Sequence, residues 1–354
     1  MLNLNFPVAV SHPKDFYDRR DIIARVQSVL KSPNPQSIII RGERRIGKTS
    51  LLNIIAHHLT QWQPSAVQVR LPHGDNIRSF NIFAKEILYK LSLELNKDFE
   101  STRTKNGDVT FASVGQLVDE IMRLTFPHTI TTVLFIDEFD ATLANCSPAD
   151  AGKILATLNY LQEKTDLPFV TVLTTTAHYP DVKNADFVDL KPFSESDTVA
   201  MILDLAGDDI TFSEAALARL FYFSGGHPFL VKGILRRLWL VYADEMHITP
   251  TMVDRAVEFA ATDATVDAAL KNIYRVHFSA AEKYIMLQLS AQNKVNRQMY
   301  AAPQFITATN QLMRRNYIAA KDENVLTFCS NFWQVWLQNM DEYHDELTLL
   351  GVQT

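Results

Sequence analysis

The chain has 354 residues, 47% of them hydrophobic and 21% charged, and a formal net charge of −6. That balance fits a globular protein with room for two or three domains, excludes a disordered or collagen-like chain, and speaks against nucleic-acid binding over the whole surface. No apolar run approaches the roughly 18 residues of a membrane span. Cys146 and Cys329 cannot build a disulfide framework, and the opening MLNLNFPVAVSHPKDF carries neither a basic leader nor an apolar block. A reduced, cytoplasmic location with no membrane partner is the expectation.

In chain order, an N-terminal lead (1–35) precedes the stretch IIIRGERRIGKTSLLNII at 38–55. It reads as strand, loop and helix, and the loop spells G-x-x-x-x-G-K-T. A polyphosphate needs backbone N–H groups converging on it, and glycines such as Gly42 and Gly47 allow that approach. The helix N-terminus beyond them favours an anion. Lys48 is placed to reach the β- and γ-phosphates of a nucleoside triphosphate, and the Thr49 hydroxyl to hold Mg²⁺. Ser50 continues the helix beside them; Arg44 and Arg45 read first as solvated loop arginines, with extra positive charge near the phosphates, Arg45 above all, as the alternative.

Further along, 66–71 (AVQVRL) reads as a strand and 78–95 as an amphipathic helix. A polar loop at 98–111 and a helix at 113–126 follow. Then comes TTVLFIDEFD, an apolar strand ending in acids. Asp137 is expected to bind Mg²⁺ through its water, and Glu138 to orient and deprotonate the attacking water. Asp140 is an alternative base or a helix cap. A helix at 151–165 and a strand at 169–175 complete an alternation that predicts a parallel sheet covered by helices. The expected ATPase core is 36–193.

Beyond it the pattern turns helical. Ser194 with Asp197 forms an expected capping box, and 213–224 is a helix closed by Gly225-Gly226. Pro228 then opens a helix over 228–245, and Thr249-Pro250 opens another. This helical lid is expected to occupy 194–270. Over 271–354, helices at 279–292 and 302–316 precede a hairpin at 317–329 with its tip at 321–324. Helix, helix, hairpin is the winged-helix order.

These motifs together resemble the archaeal-ATPase-like branch of the STAND P-loop ATPases, within the wider AAA+ group. GERRIGKTSLL looks like that family's phosphate loop, VLFIDEFD its acidic strand, and GGHPFLVKGILRRL its lid motif. NFWQVWLQ is similar to the aromatic end of its winged helix. KDFYDRRDII resembles its N-terminal motif, with Phe16, Tyr17 and Arg19 matching and Asp18 in place of a glycine. The resemblance implies an α/β P-loop fold of AAA+/STAND type, a lid and a winged helix. It also implies nucleotide contacts from Arg19, His227 and Pro228, and a polar sensor at Thr175 or Thr176 in LTTTAHYP. No arginine lies between Arg123 and Arg219, so an arginine finger after the sensor strand is missing, with Lys153, Lys164 and Lys183 as weak substitutes.

The functional expectation is an ATP-binding, slowly hydrolysing ATPase. ATP and Mg²⁺ would bind between sheet and lid and gate a conformational or oligomerisation switch. The resemblance points to signalling or defence against foreign DNA, with a protein partner or self-association as output. The alternative is a DNA-binding AAA+ ATPase of the origin-recognition or transposition type, using the winged helix. Residues 276–354 hold six Lys and Arg against seven Asp and Glu, which is a poor phosphate-binding surface.

Overall fold

The computed structural model describes residues 6–17, 19–32, 35–96, 110–111, 113–125, 131–163, 169–176, 181–242, 245 and 247–349. Asp18, Lys164, the expected loop up to residue 109 and the segment after Thr176 lie outside those residues. Two compact units emerge, one of Val10–Glu43 with Gly47–Leu190, the other of Met1–Ala9, Arg44–Ile46 and Lys191–Thr354.

The first unit runs α1 (Arg20–Leu30), β1 (Ser37–Arg41), α2 (Lys48–Trp62), β2 (Val67–Arg70), α3 (Phe80–Glu94), α4 (Val114–Thr125), β3 (Thr132–Ile136), α5 (Phe139–Ala144), α6 (Pro148–Glu163), β4 (Phe169–Thr175) and β5 (Ala185–Asp189). The strands form one sheet in the order β2-β3-β4-β1-β5, all pairs parallel. Consecutive residues of β1, β3 and β4 are buried. Side chains alternate between the faces of a strand, so both faces of the sheet centre are covered. Phe80, Phe83 and Ile87 of α3, Leu117 and Ile121 of α4, and Leu158 of α6 join Leu134 and Ile136 of β3 in one apolar cluster.

The fifth strand departs from the expected pattern. Its five residues, ADFVD, carry acids at two positions, unlike the apolar runs of β1 and β3. As an edge strand beside β1, β5 spends those acids on arginines: Asp186 with Arg25 at 2.5 Å and Asp189 with Arg41 at 2.5 Å. Charged side chains suit an edge, where one side faces no strand.

The second unit runs α7 (Glu195–Ala206), β6 (Thr211–Phe212), α8 (Glu214–Ser224), α9 (Pro228–Val241), β7 (His247–Ile248), α10 (Pro250–Ala261), α11 (Ala264–His277), α12 (Ala280–Gln292), β8 (Val295–Asn296), α13 (Pro303–Arg314), β9 (Ile318–Ala320), β10 (Val325–Phe328), α14 (Phe332–Gln338) and α15 (Tyr343–Leu349). Strands β8, β10 and β9 make a small sheet in that order, which gives α12 to β10 the element order of a winged helix. Helix α11 and strand β8 had no counterpart in the sequence reading.

Ser194 does cap α7, accepting the Asp197 N–H at 3.1 Å, but the Asp197 carboxylate takes the Ser194 hydroxyl at 2.5 Å instead of the backbone amide. The reciprocal capping box sits at Ser279–Glu282, where the longer glutamate reaches the Ser279 N–H at 2.8 Å. One methylene decides between the two. Among the described residues no helix is long and apolar enough to cross a membrane.

Buried Asp263 holds the junction from α10 into α11. Its Oδ1 accepts the N–H groups of Thr265 at 2.8 Å and Val266 at 3.3 Å, and its Oδ2 meets Arg237. Burial alone would raise the carboxyl's pKa, but those N–H groups and the Arg237 charge outweigh it and hold it below its ordinary value. A depressed folded-state value stabilises the fold above the unfolded value, about 3.9, and that stability is lost as pH falls through the folded value. Asp263→Asn should therefore lower stability at pH 7 by roughly 2 kcal/mol. The gap from wild type should narrow below about pH 4 in denaturant melts.

Candidate active site

Strand β1 ends at Arg41, whose guanidinium is taken up by Asp189 (2.7 and 2.5 Å) and lies 4.5 Å over the Phe187 ring. It therefore braces the sheet edge. The loop after it turns into α2 at Gly47, which adopts φ 104° as the N-cap, with no side chain capping the helix and open space where a Cβ would stand. Lys48, 7% exposed, donates from Nζ to the carbonyls of Gly42 (2.8 Å) and Glu43 (2.9 Å). A nearly buried ammonium needs such acceptors, and these keep it inside the loop.

Thr49 follows, and its Oγ1 donates to Asp137 Oδ2 at 2.8 Å. Sequence spacing separates these residues by 88 positions; the sheet brings them together. A hydroxyl and a carboxylate oxygen are hard donors of the kind that suit Mg²⁺. The Ser50 side chain turns elsewhere, accepting the Val10 N–H at 3.0 Å, while Asn53 Nδ2 donates to Val10 O at 2.9 Å. Arg19 is buried at the N-cap of α1 with φ 69°, in the first unit.

Past β3, Glu138 adopts a left-handed conformation, φ 50° and ψ 54°, which is sparsely populated for a side chain of this kind. His73, just beyond β2, lies with Nε2 at 3.3 Å from Glu138 Oε2 and Nδ1 at 3.5 Å from Asp75 Oδ2. His73, Asp75 and Glu138 together form a group with metal-ligating side chains within 4.8 Å of one another. The imidazole stands between the two carboxylates, one at each ring nitrogen, so the arrangement reads as an acid–imidazole–acid chain. His73 carried no motif signal; only the neighbouring position of β2 in the sheet reveals it.

The three consecutive threonines at the end of β4, Thr174 to Thr176, divide by face. Thr174 Oγ1 donates to Asp137 Oδ1 at 2.6 Å, and Thr176 Oγ1 donates to Asp140 Oδ2 at 2.6 Å. The period of two turns buried Thr175 to the opposite face. Thus the hydroxyls on the acidic strand are those of Thr174 and Thr176. Lys153 lies 5.6 Å over the Phe80 ring, and Lys183 Nζ pairs with Glu163 at 3.4 Å.

The remaining candidates belong to the second unit. Arg45, with φ 65°, places its guanidinium 5.4 Å from the centre of the Phe229 ring of α9. His227 is the N-cap of α9 and Pro228 its first residue. The Gly225-Gly226 turn before them is tightly enclosed. A Cβ on Gly225 would stand 2.4 Å from Cys329 O, and one on Gly226 2.1 Å from Phe193 O.

A phosphate loop at the end of one parallel strand, with paired acids at the end of another, defines the P-loop nucleoside-triphosphatase class. Residues 32–178 match the family described as AAA domain, so this stretch is similar to that family. The whole chain is also similar in fold to a Walker-type ATPase of Pyrococcus abyssi, with TM-score 0.65 at 15% identity over 95% of this chain and 99% of that one. Similarity extends to the ORC2 protein of Aeropyrum pernix, solved as ADPNP–ADP complexes, with TM-score 0.50 at 13% identity over 98% and 96%. No curated protein matches the sequence.

The Gly226 contact supplies a direct check on the turn. Gly226→Ala must move the Phe193 carbonyl and also strain a backbone at φ 73°. It should lower the melting temperature, with a loss of about 2 kcal/mol or more in denaturant unfolding.

Proposed function

We propose that the chain is a Mg²⁺-dependent ATPase with slow turnover, whose nucleotide state sets the conformation or self-association of the lid and C-terminal domain. The observation that carries this reading is the Thr49–Asp137 pair at 2.8 Å, which puts a hydroxyl and a carboxylate beside a phosphate loop. Thr49 would ligate Mg²⁺ and Asp137 would hold its water. When bound, the ion offsets the charge of the β- and γ-phosphates and polarises the γ-phosphorus.

The residues of the chain supply the remaining parts. Lys48 exchanges loop carbonyls for phosphate oxygens, and the α2 N-terminus receives the anion. The Glu138 carboxylate takes the proton of a water whose oxygen attacks the γ-phosphorus as the bond to the bridging oxygen breaks and ADP leaves. Arg45, Ser50, Arg19, Thr175, His227 and Pro228 are proposed nucleotide-side residues by resemblance, with Ser50 acting through its backbone because its hydroxyl is engaged. With Lys153 and Lys183 each engaged and no arginine finger in the expected region, turnover is expected to be slow. Signalling or defence against foreign DNA, in a cytoplasmic setting and through a protein partner, is the proposed context.

The DNA-binding alternative draws less support. Helix α13 presents Gln304, Thr307, Asn310 and Arg314 outward, but Arg315 is withdrawn into a pair with Glu282 at 3.0 Å and lies 4.9 Å over Phe278. That leaves little cationic surface for phosphates.

Lys48→Ala should abolish ATP binding in a calorimetric titration, because the phosphates lose their main cation; wild-type affinity would contradict the phosphate-loop assignment. Glu138→Gln should bind ATP normally yet lose about 10²-fold or more in turnover. Hydrolysis at the wild-type rate would move the base to another residue, with Asp140 the first to test.

A further inference from the structure

We infer that Thr174 is the positioning residue for both acids of the site. Its hydroxyl is the point where the backbone of Glu138 and the carboxylate of Asp137 are locked together. The inference rests on the hydrolytic reading above and assigns a role to a residue that the sequence pattern did not single out.

The argument starts from a cost. Glu138 has φ 50° and ψ 54°, a conformation that Cβ–carbonyl crowding disfavours for any residue but glycine. It persists only where the surroundings over-determine it. Three contacts do so. The Glu138 N–H donates to Thr174 Oγ1 at 2.9 Å and also approaches Asp137 Oδ1 at 3.2 Å. The Glu138 carbonyl is backed by Gly74, where a Cβ would come within 2.5 Å of the oxygen. His73 meets the side chain at 3.3 Å.

Of these, only the Thr174 hydroxyl serves both acids. While it accepts from the Glu138 amide, it donates its own proton to Asp137 Oδ1 at 2.6 Å. That fixes the carboxylate so that Oδ2 is the oxygen turned to Thr49. The metal-side face of Asp137 and the direction in which Glu138 leaves the strand are therefore set by one hydroxyl. Thr174 is fully buried and its two bonds use both its donor and an acceptor site. It touches neither phosphate nor water in this scheme. Parallel register places it opposite the acidic residues, since Ile136 pairs with Leu173.

Thr174→Val keeps shape and volume and removes the hydroxyl; Thr174→Ser keeps the hydroxyl. In the full-length chain, kcat for ATP should fall at least about tenfold in Thr174→Val, while KM for ATP stays within about twofold. The Mg²⁺ concentration for half-maximal rate should rise. Thr174→Ser should retain about half the wild-type rate or more. Hydrogen exchange of the peptide covering Glu138 should quicken in Thr174→Val and return towards wild type in Thr174→Ser. An unchanged rate and exchange in Thr174→Val, or equal impairment of both variants, would overturn the assignment. If the wild-type chain shows no hydrolysis, the ATPase reading alone fails, and the exchange comparison still decides whether Thr174 holds the Glu138 turn.

Discussion

The carboxylate of Asp137 sits at the end of a fully buried strand and is itself 9% exposed. A charge in that place must be matched by hydrogen bonds or abandoned. Its two oxygens are matched from different directions, one by Thr49 at the start of α2 and the other by Thr174 of β4. Because β4 lies between β3 and β1 in the sheet, these bonds tie the acidic strand to the phosphate-loop helix across an intervening strand. Thr49 and the backbone of Glu138 are both held by that tie.

The sheet makes this arrangement affordable because its centre asks nothing else of the site. Strands β1, β3 and β4 are mostly apolar and largely buried on both faces, so hydrophobic burial stabilises the scaffold. The polar groups of the candidate site gather at the carboxyl ends, where open parallel sheets place ligands. The neighbours of β3 both contribute: β4 gives the Thr174 hydroxyl, and the loop after β2 gives His73 and the close approach of Gly74. Within the second unit a comparable set of bonds ties the C-terminal elements to α8, α11 and the turn after α8. Ser330 Oγ donates to Phe223 O at 2.5 Å, Trp336 Nε1 donates to Asp267 at 3.0 Å, and Gly225 admits the Cys329 carbonyl.

The phosphate loop and the acid-ended strand were legible because their chemistry is local: glycines, lysine and threonine within eight positions, and two acids after an apolar run. The lid glycines were legible for the same reason, although what pressed against them was not. Thr174 escaped because three threonines in a row look alike until a neighbouring strand decides which face carries the carboxylates. His73 escaped because its meaning comes from β2 lying beside β3. Strand β5 escaped because its acids, satisfied by Arg25 and Arg41, imitate a solvated loop. Local signals identify the reacting groups; pairing between distant strands identifies what orients them.

The measurement closest to the central claim is calorimetric titration of the full-length chain with a non-hydrolysable ATP analogue, in Mg²⁺ and again in excess chelator. The Thr49–Asp137 pair as the metal-side anchor predicts stoichiometric binding that tightens markedly with Mg²⁺, and loss of that Mg²⁺ dependence in Asp137→Asn. No binding in either condition, or equal affinity with and without Mg²⁺ in the wild-type chain, would contradict it.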